Sequence, residues 1–119
     1  MVNANQKGKR GEREWAEFLR SHGISARRGQ QFSGGGDSPD VVSSLPIHFE
    51  VKRVEALNLG NAVKQAMEDA GPKPWCVAHR KNNQPWLCTI SADFLIELFQ
   101  LLKKDDNVNQ SKPEKENER

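Results

Sequence analysis

Glu50 and Lys52 stand two residues apart in the segment Ile47-His48-Phe49-Glu50-Val51-Lys52-Arg53. Read as a β-strand, the segment alternates. Ile47, Phe49 and Val51 face one way; His48, Glu50 and Lys52 face the other. The carboxylate and the ammonium then lie roughly 7 Å apart along one face. Just upstream, Ser38-Pro39-Asp40 leads into a second short apolar run, Val41-Val42. An acid at the head of one strand and Glu-x-Lys on the next are the parts of a metal-dependent phosphodiesterase centre. Cleaving a phosphodiester requires neutralised charge on the phosphate and an activated water, and a divalent ion held by carboxylates supplies both. Magnesium takes oxygen ligands and keeps several waters, so few protein oxygens are needed. Asp40 and Glu50 can converge on one ion, and the backbone carbonyl of Val51 can be a further ligand. Lys52 can contact the scissile phosphate or orient the water. As a surface ion pair on a half-solvated sheet, the same Glu50 and Lys52 would contribute little.

A third acid bears on that choice. Residues 6–21 read as a helix with an apolar stripe of Trp15, Phe18 and Leu19, and Ala16 beside it. Glu12 precedes Trp15, Ala16 and Leu19 by three, four and seven residues, which places it inside the stripe. Glu14 falls at the margin and Glu17 roughly opposite. An unpaired buried carboxylate costs on the order of several kcal/mol. An inward Glu12 therefore needs a partner, either a cation shared with Asp40 and Glu50 or an arginine. Before it comes Lys7-Gly8-Lys9-Arg10-Gly11, whose glycines let a phosphate backbone approach and whose cations favour it. No Lys-Ser/Thr pair closes this run, so it is not a P-loop.

The remaining elements follow from periodicity and punctuation. Gly23 is a natural helix C-cap. Residues 24–28 form a first short strand, residues 40–42 a second and residues 47–53 a third, with a turn over Ser43-Ser44-Leu45-Pro46. Residues 30–37 are a glycine-rich loop flanked by Arg27 and Arg28. A helix spans 58–70, its expected buried stripe being Leu59, Ala62, Val63, Ala66, Met67 and Ala70, and Gly71-Pro72 ends it. Residues 75–78 and 86–90 are strands around a turn at 80–84. Ser91 caps a last helix carrying Phe94, Leu95, Leu98, Phe99 and Leu102. The expected fold class is α/β, with a central mixed β-sheet flanked by helices.

With 119 residues, the chain fits one domain. The domain is expected over residues 1–104, with 105–119 a disordered polar tail. Mean hydropathy is −0.80, and no apolar run approaches the roughly 20 residues of a membrane span. Cys76 and Cys88 make neither a disulfide framework nor a zinc site, and no apolar leader is visible. A cytoplasmic setting is therefore expected. The net charge of +2 is unevenly spread. Residues 1–53 hold nine Lys/Arg and six Asp/Glu; residues 54–119 hold nine and ten. Metal binding at acids of the first half would leave that half distinctly cationic, which suits a polyanion. His22, His48 and His79 show no metal-ligand spacing. His48 shares the Glu50 face but is read first as a polar surface residue.

On Lys7-Gly8…Gly11-Glu12-Arg13-Glu14, Ser38-Pro39-Asp40-Val41-Val42 and Glu50-Val51-Lys52, the chain resembles the PD-(D/E)XK nuclease superfamily. More narrowly, it is similar to archaeal and phage Holliday junction resolvases and related phage endonucleases. The resemblance covers residues 6–80, and the element order α-β-β-β-α-β agrees with it. It implies a restriction-endonuclease-like fold, extended here by one strand and a C-terminal helix. It implies catalytic roles for Glu12, Asp40, Glu50 and Lys52, and for Gln65 on the following helix. Metal would be held by Asp40, Glu50, Val51 and Glu12, as Mg2+ with Mn2+ able to substitute. DNA contacts are expected at Lys7, Lys9, Arg10, Arg27, Arg28, Ser33 and Arg53. A homodimer would set two active sites on two strands of branched DNA. The expected activity is structure-selective DNA cleavage. The alternatives are a general or nicking phage nuclease of the same fold and a non-catalytic DNA-binding protein.

Overall fold

Trp15, Ala16 and Leu19 are the buried line of helix α1, Ala4–Ser21. The helix ends as its sequence dictates. Gly23 adopts φ +81°, and the amides of Gly23 and Ile24 turn back to the carbonyls of Arg20 and Leu19, each at 3.0 Å. The computed structural model describes residues 4–29 and 40–110, with side chains over 8–29 and 40–105. Five strands and two further helices follow α1 in the expected order. They are β1 (Ala26–Arg28), β2 (Val41–Ser43), β3 (His48–Arg53), α2 (Leu59–Ala70), β4 (Trp75–Arg80), β5 (Leu87–Ile90) and α3 (Ala92–Gln110). The chain divides into one unit ending at Thr89 and a second beginning at Ile90.

The first unit is an α/β arrangement. β3 and β4 run parallel in the register His48↔Trp75 through Arg53↔Arg80, joined by α2 as the crossover. β5 completes a mixed three-stranded sheet. In-register residues share a face. Phe49 and Val51 of β3, with Cys76 and Ala78 of β4, form a buried face, and Trp15 of α1 meets Phe49 with ring centroids 5.3 Å apart. The opposite face carries His48, Glu50 and Lys52 beside Trp75, Val77 and His79. It lies under α2, where Ala62 and Ala66 pack on the fully buried Val77.

Three expectations are corrected. The described strands fall into two sheets rather than one central sheet, because β1 and β2 form a separate antiparallel pair. The Val51 amide explains part of this: it donates to the Asp40 side chain, so no backbone ladder forms there. The buried line of α2 is Ala62, Ala66 and Ala70, while Leu59 and Met67 are 40% and 53% exposed. Small alanines bring the helix close to the sheet, which leaves the flanking large side chains at the rim. α3 continues through Asp105 to Gln110, past the boundary expected at 104; residues 111–119 lie outside the described residues. Its cap is as expected, with Ser91 Oγ accepting the amide of Phe94 at 3.0 Å. Trp86 packs against Trp15 with ring centroids 5.0 Å apart and the ring planes tilted by 58°. Cys76 and Cys88 are both free. No described helix is long and apolar enough to cross a membrane.

Candidate active site

Asp40 stands immediately before β2, and its Oδ2 accepts the backbone N–H of Val51 at 3.3 Å. This bond sets the head of β2 against the middle of β3. A strand residue directs its N–H and C=O toward the same edge, so the Val51 carbonyl lies on the edge that Asp40 faces. On either side of Val51 are Glu50 and Lys52. Glu50 is 2% exposed, so the pair is not a surface ion pair on a half-solvated sheet. Its Oε2 is 3.6 Å from Lys52 Nζ and its Oε1 is 3.3 Å from His48 Nε2.

The electrostatics record how closely the acids gather. Burial raises the Asp40 carboxyl to about 6, and the charge of Glu50 adds to it, then that of Glu12; the Val51 amide and Lys52 oppose. Glu12 is also raised, by burial first and by Glu50 in smaller part, although Arg28 pulls against this. Asp40 and Glu12, both raised and both acted on by the charge of Glu50, mark a place where a cation would relieve repulsion between acids. Oxygen donors from Asp40, Glu50 and the Val51 carbonyl suit magnesium.

Glu12 is partly buried as its spacing implies, and the partner it takes is Arg28, with Nε donating to Oε1 at 3.0 Å. Gln65 is exposed on α2 and accepts from Lys52 Nζ at 3.2 Å. That contact gives Gln65 a definite place beside the lysine. Of the expected DNA-contacting residues, Lys9, Arg10 and Arg27 are exposed. Arg28 and Arg53 are instead engaged within the fold: Arg28 with Glu12, and Arg53 with Glu14 at 2.9 Å and Glu55 at 3.8 Å. Arg28 thus meets the inward Glu12 that the helix pattern showed, while Arg53 meets Glu14 at the margin of that stripe and Glu55 beyond β3. Ser33 lies outside the described residues, as does the side chain of Lys7.

Two residues join the site that sequence reasoning passed over. The His48 side chain is 10% exposed and bonded to Glu50, so it is not a surface residue. Its pKa is raised, first by the hydrogen bond to Glu50 and in smaller part by the charges of Glu50, Asp40 and Asp69. Asp69 of α2 comes within reach of both, and the donor atoms of His48, Glu50 and Asp69 lie within 4.8 Å of one another. The available signal was alternation, since His48 shares a strand face with Glu50. The complementary signal is on α2, where Gln65 and Asp69 are four apart and share a helix face.

Beyond the Lys52 end of β3, a crevice of about 1100 Å3 opens at the carboxyl ends of β3 and β4. Leu57, Asn58, His79, Arg80, Lys81 and Leu87 are among its walls. Comparison of the chain with protein-family models, with curated proteins and with solved structures finds no match.

Proposed function

We propose that the protein is a metal-dependent, structure-selective DNA endonuclease of the PD-(D/E)XK class, with a restriction-endonuclease-like fold and branched DNA as its substrate. The observation that carries this reading is the bond from the Val51 amide to Asp40. It sets a proline-preceded aspartate against Glu50-Val51-Lys52, two segments joined only through the fold.

Asp40, Glu50 and the Val51 carbonyl are the residues that would hold Mg2+, with Glu12 close enough to act on them electrostatically. When bound, the ion supplies charge neutralisation and a more acidic water. The chain's own residues do the rest. Lys52 Nζ, steadied by Gln65 Oε1 at 3.2 Å, presents a cation beside Glu50 for the non-bridging oxygens of the scissile phosphate. Burial of Glu50 excludes bulk water from one side of the site, which strengthens the interaction of the lysine with a phosphate. Exposed Lys9, Arg10 and Arg27 supply contacts to the DNA backbone, which position a duplex without reading its sequence. Large apolar residues of α3, Leu95, Ile96, Phe99, Leu101 and Leu102, are 42–60% exposed and offer a surface for homodimer formation. Free cysteines suit a reducing compartment such as the cytoplasm.

The reading is tested with a four-way junction, a matched duplex and single-stranded DNA, each with Mg2+ or with chelator. Metal-dependent cutting of the junction in preference to the duplex is expected. Equal cutting of both removes the junction preference and leaves a general nuclease of the same fold. Binding without cutting leaves a DNA-binding protein.

A further inference from the structure

We propose that His48, Glu50 and Asp69 form a second cation site, for a borderline divalent transition ion such as Zn2+ or Mn2+, beside the magnesium position at Asp40. It goes beyond the nuclease reading and shares only Glu50 with it. Each residue offers one donor atom, and the three atoms lie within 4.8 Å of one another. Ligands around a zinc ion stand about 2.0–2.2 Å from it, so a small inward adjustment brings the three onto one ion.

The donor set decides the class of cation. One imidazole nitrogen with two carboxylate oxygens departs from the all-oxygen environment that magnesium takes. Imidazole shifts preference toward the first-row transition ions. Three protein ligands leave positions open for water, and exposed Asp69 puts those positions on the solvent side.

A second observation concerns Glu50 itself. Its side chain is 3% exposed, yet its two basic neighbours are distant, His48 Nε2 at 3.3 Å and Lys52 Nζ at 3.6 Å. Charge-assisted hydrogen bonds between such groups run at about 2.7–2.9 Å. So deeply buried a carboxylate is thus only loosely satisfied by the fold. Its two oxygens point to different neighbours, Oε1 to His48 and Oε2 to Lys52. One oxygen therefore serves the His48 side while the other stays on the Lys52 side.

The ligands also stand on rigid elements, as a preorganised site requires. The amide of His48 is held by the Pro74 carbonyl at 2.9 Å, and Glu50 is in register with fully buried Val77. Asp69 precedes Ala70, whose burial with Ala62 and Ala66 fixes the rotation of α2.

The test uses the chelator-treated full chain titrated with Co2+, followed by visible absorption, with Zn2+ and Mg2+ as competitors. One equivalent of Co2+ is expected to develop bands of nitrogen and oxygen ligation, removed by Zn2+ and retained in excess Mg2+. His48→Gln and Asp69→Asn should each weaken Co2+ binding by about 10- to 100-fold, and Asp40→Asn should leave it unchanged. Asp69 is exposed, so its replacement leaves the core intact. No Co2+ binding, binding indifferent to His48→Gln and Asp69→Asn, or binding lost in Asp40→Asn alone would overturn the proposal. Junction cleavage on the same preparations keeps the two claims apart. His48-dependent Co2+ binding without cleavage upholds this site and removes the nuclease; cleavage with Co2+ binding indifferent to both variants does the reverse.

Discussion

Asp40 Oδ2 accepts the amide of Val51 at 3.3 Å, so a side chain stands where a neighbouring strand's backbone carbonyl would otherwise pair with β3. This brings Asp40 toward Glu50 and raises its carboxyl to about 6, by burial first and by Glu50 next. A carboxyl raised above its ordinary 3.8 favours the folded state while it holds its proton. That stability is full below the ordinary value and is lost as pH rises through about 6. Asp40→Asn removes the charge and keeps an oxygen for the Val51 amide. The variant should be more stable than the parent near neutral pH by about 1–2 kcal/mol, and the difference should shrink as pH falls through about 6 and vanish below the ordinary 3.8. Urea unfolding at both pH values checks this, and a variant less stable at neutral pH would contradict it. The same variant should bind a junction and fail to cut it.

His48 gives a pH dependence of the same sign. Its pKa is raised, chiefly by the hydrogen bond to Glu50. Its contribution is fully present below its ordinary value of 6.5 and is lost as pH rises through the raised one. Without divalent metal, the melting temperature should fall on going from mildly acid to mildly alkaline buffer. His48→Gln should flatten that slope. Added metal should stabilise more strongly at the higher pH, since it binds the deprotonated ligands. A melting temperature rising with pH over this range would contradict the assignment.

Gln65 touches Lys52 and is itself exposed, which separates its two effects. Gln65→Ala should change stability by no more than about 0.5 kcal/mol, as for other surface positions. It should lower the single-turnover cleavage rate by roughly 10- to 100-fold through a misplaced lysine, with junction affinity retained. Lys52→Ala should abolish cleavage. A Gln65→Ala rate equal to that of the parent would show that the contact positions nothing.

Two glycines of α1 make a paired test of how closely that helix lies on β3. A methyl group at Gly11 would meet Arg53 Cβ at 2.6 Å, whereas one at Gly8 meets nothing within 4 Å. Gly11→Ala should cost about 1–3 kcal/mol by overpacking. Gly8→Ala should gain up to about 1 kcal/mol from reduced chain entropy. Thermal unfolding of both variants decides it; equal effects would mean that α1 stands off the strand.

The sequence carried the order of elements because periodicity and punctuation are local. Gly23, Asn58, Gly71 and Ser91 mark helix ends by chemistry each residue carries alone. Glu12 was legible as inward from its spacing to Trp15, Ala16 and Leu19. Its partner Arg28 was not, because that choice depends on how α1 crosses β1. The division of strands into two sheets was equally hidden, since a side chain from outside β3 occupies the Val51 amide. Asp69 shares a helix face with Gln65, but the sequence does not show that this face meets His48. Only the close packing of Ala62 and Ala66 on Val77 brings it to His48. Arg53 read as a phosphate contact because Glu14 and Glu55, which hold it, lie on other segments.

The central claim is that Asp40, Glu50 and Lys52 act with a divalent ion to hydrolyse a phosphodiester. The most direct measurement is cleavage of an end-labelled four-way junction by the parent protein and by Glu50→Gln, each with Mg2+ and with chelator. Glu50→Gln keeps the shape of a buried side chain, and circular dichroism is the control for its folding. The account predicts cutting by the parent in Mg2+ alone and none by the variant. Cutting by Glu50→Gln at the parent's rate, or no cutting by the parent in either Mg2+ or Mn2+, would contradict it.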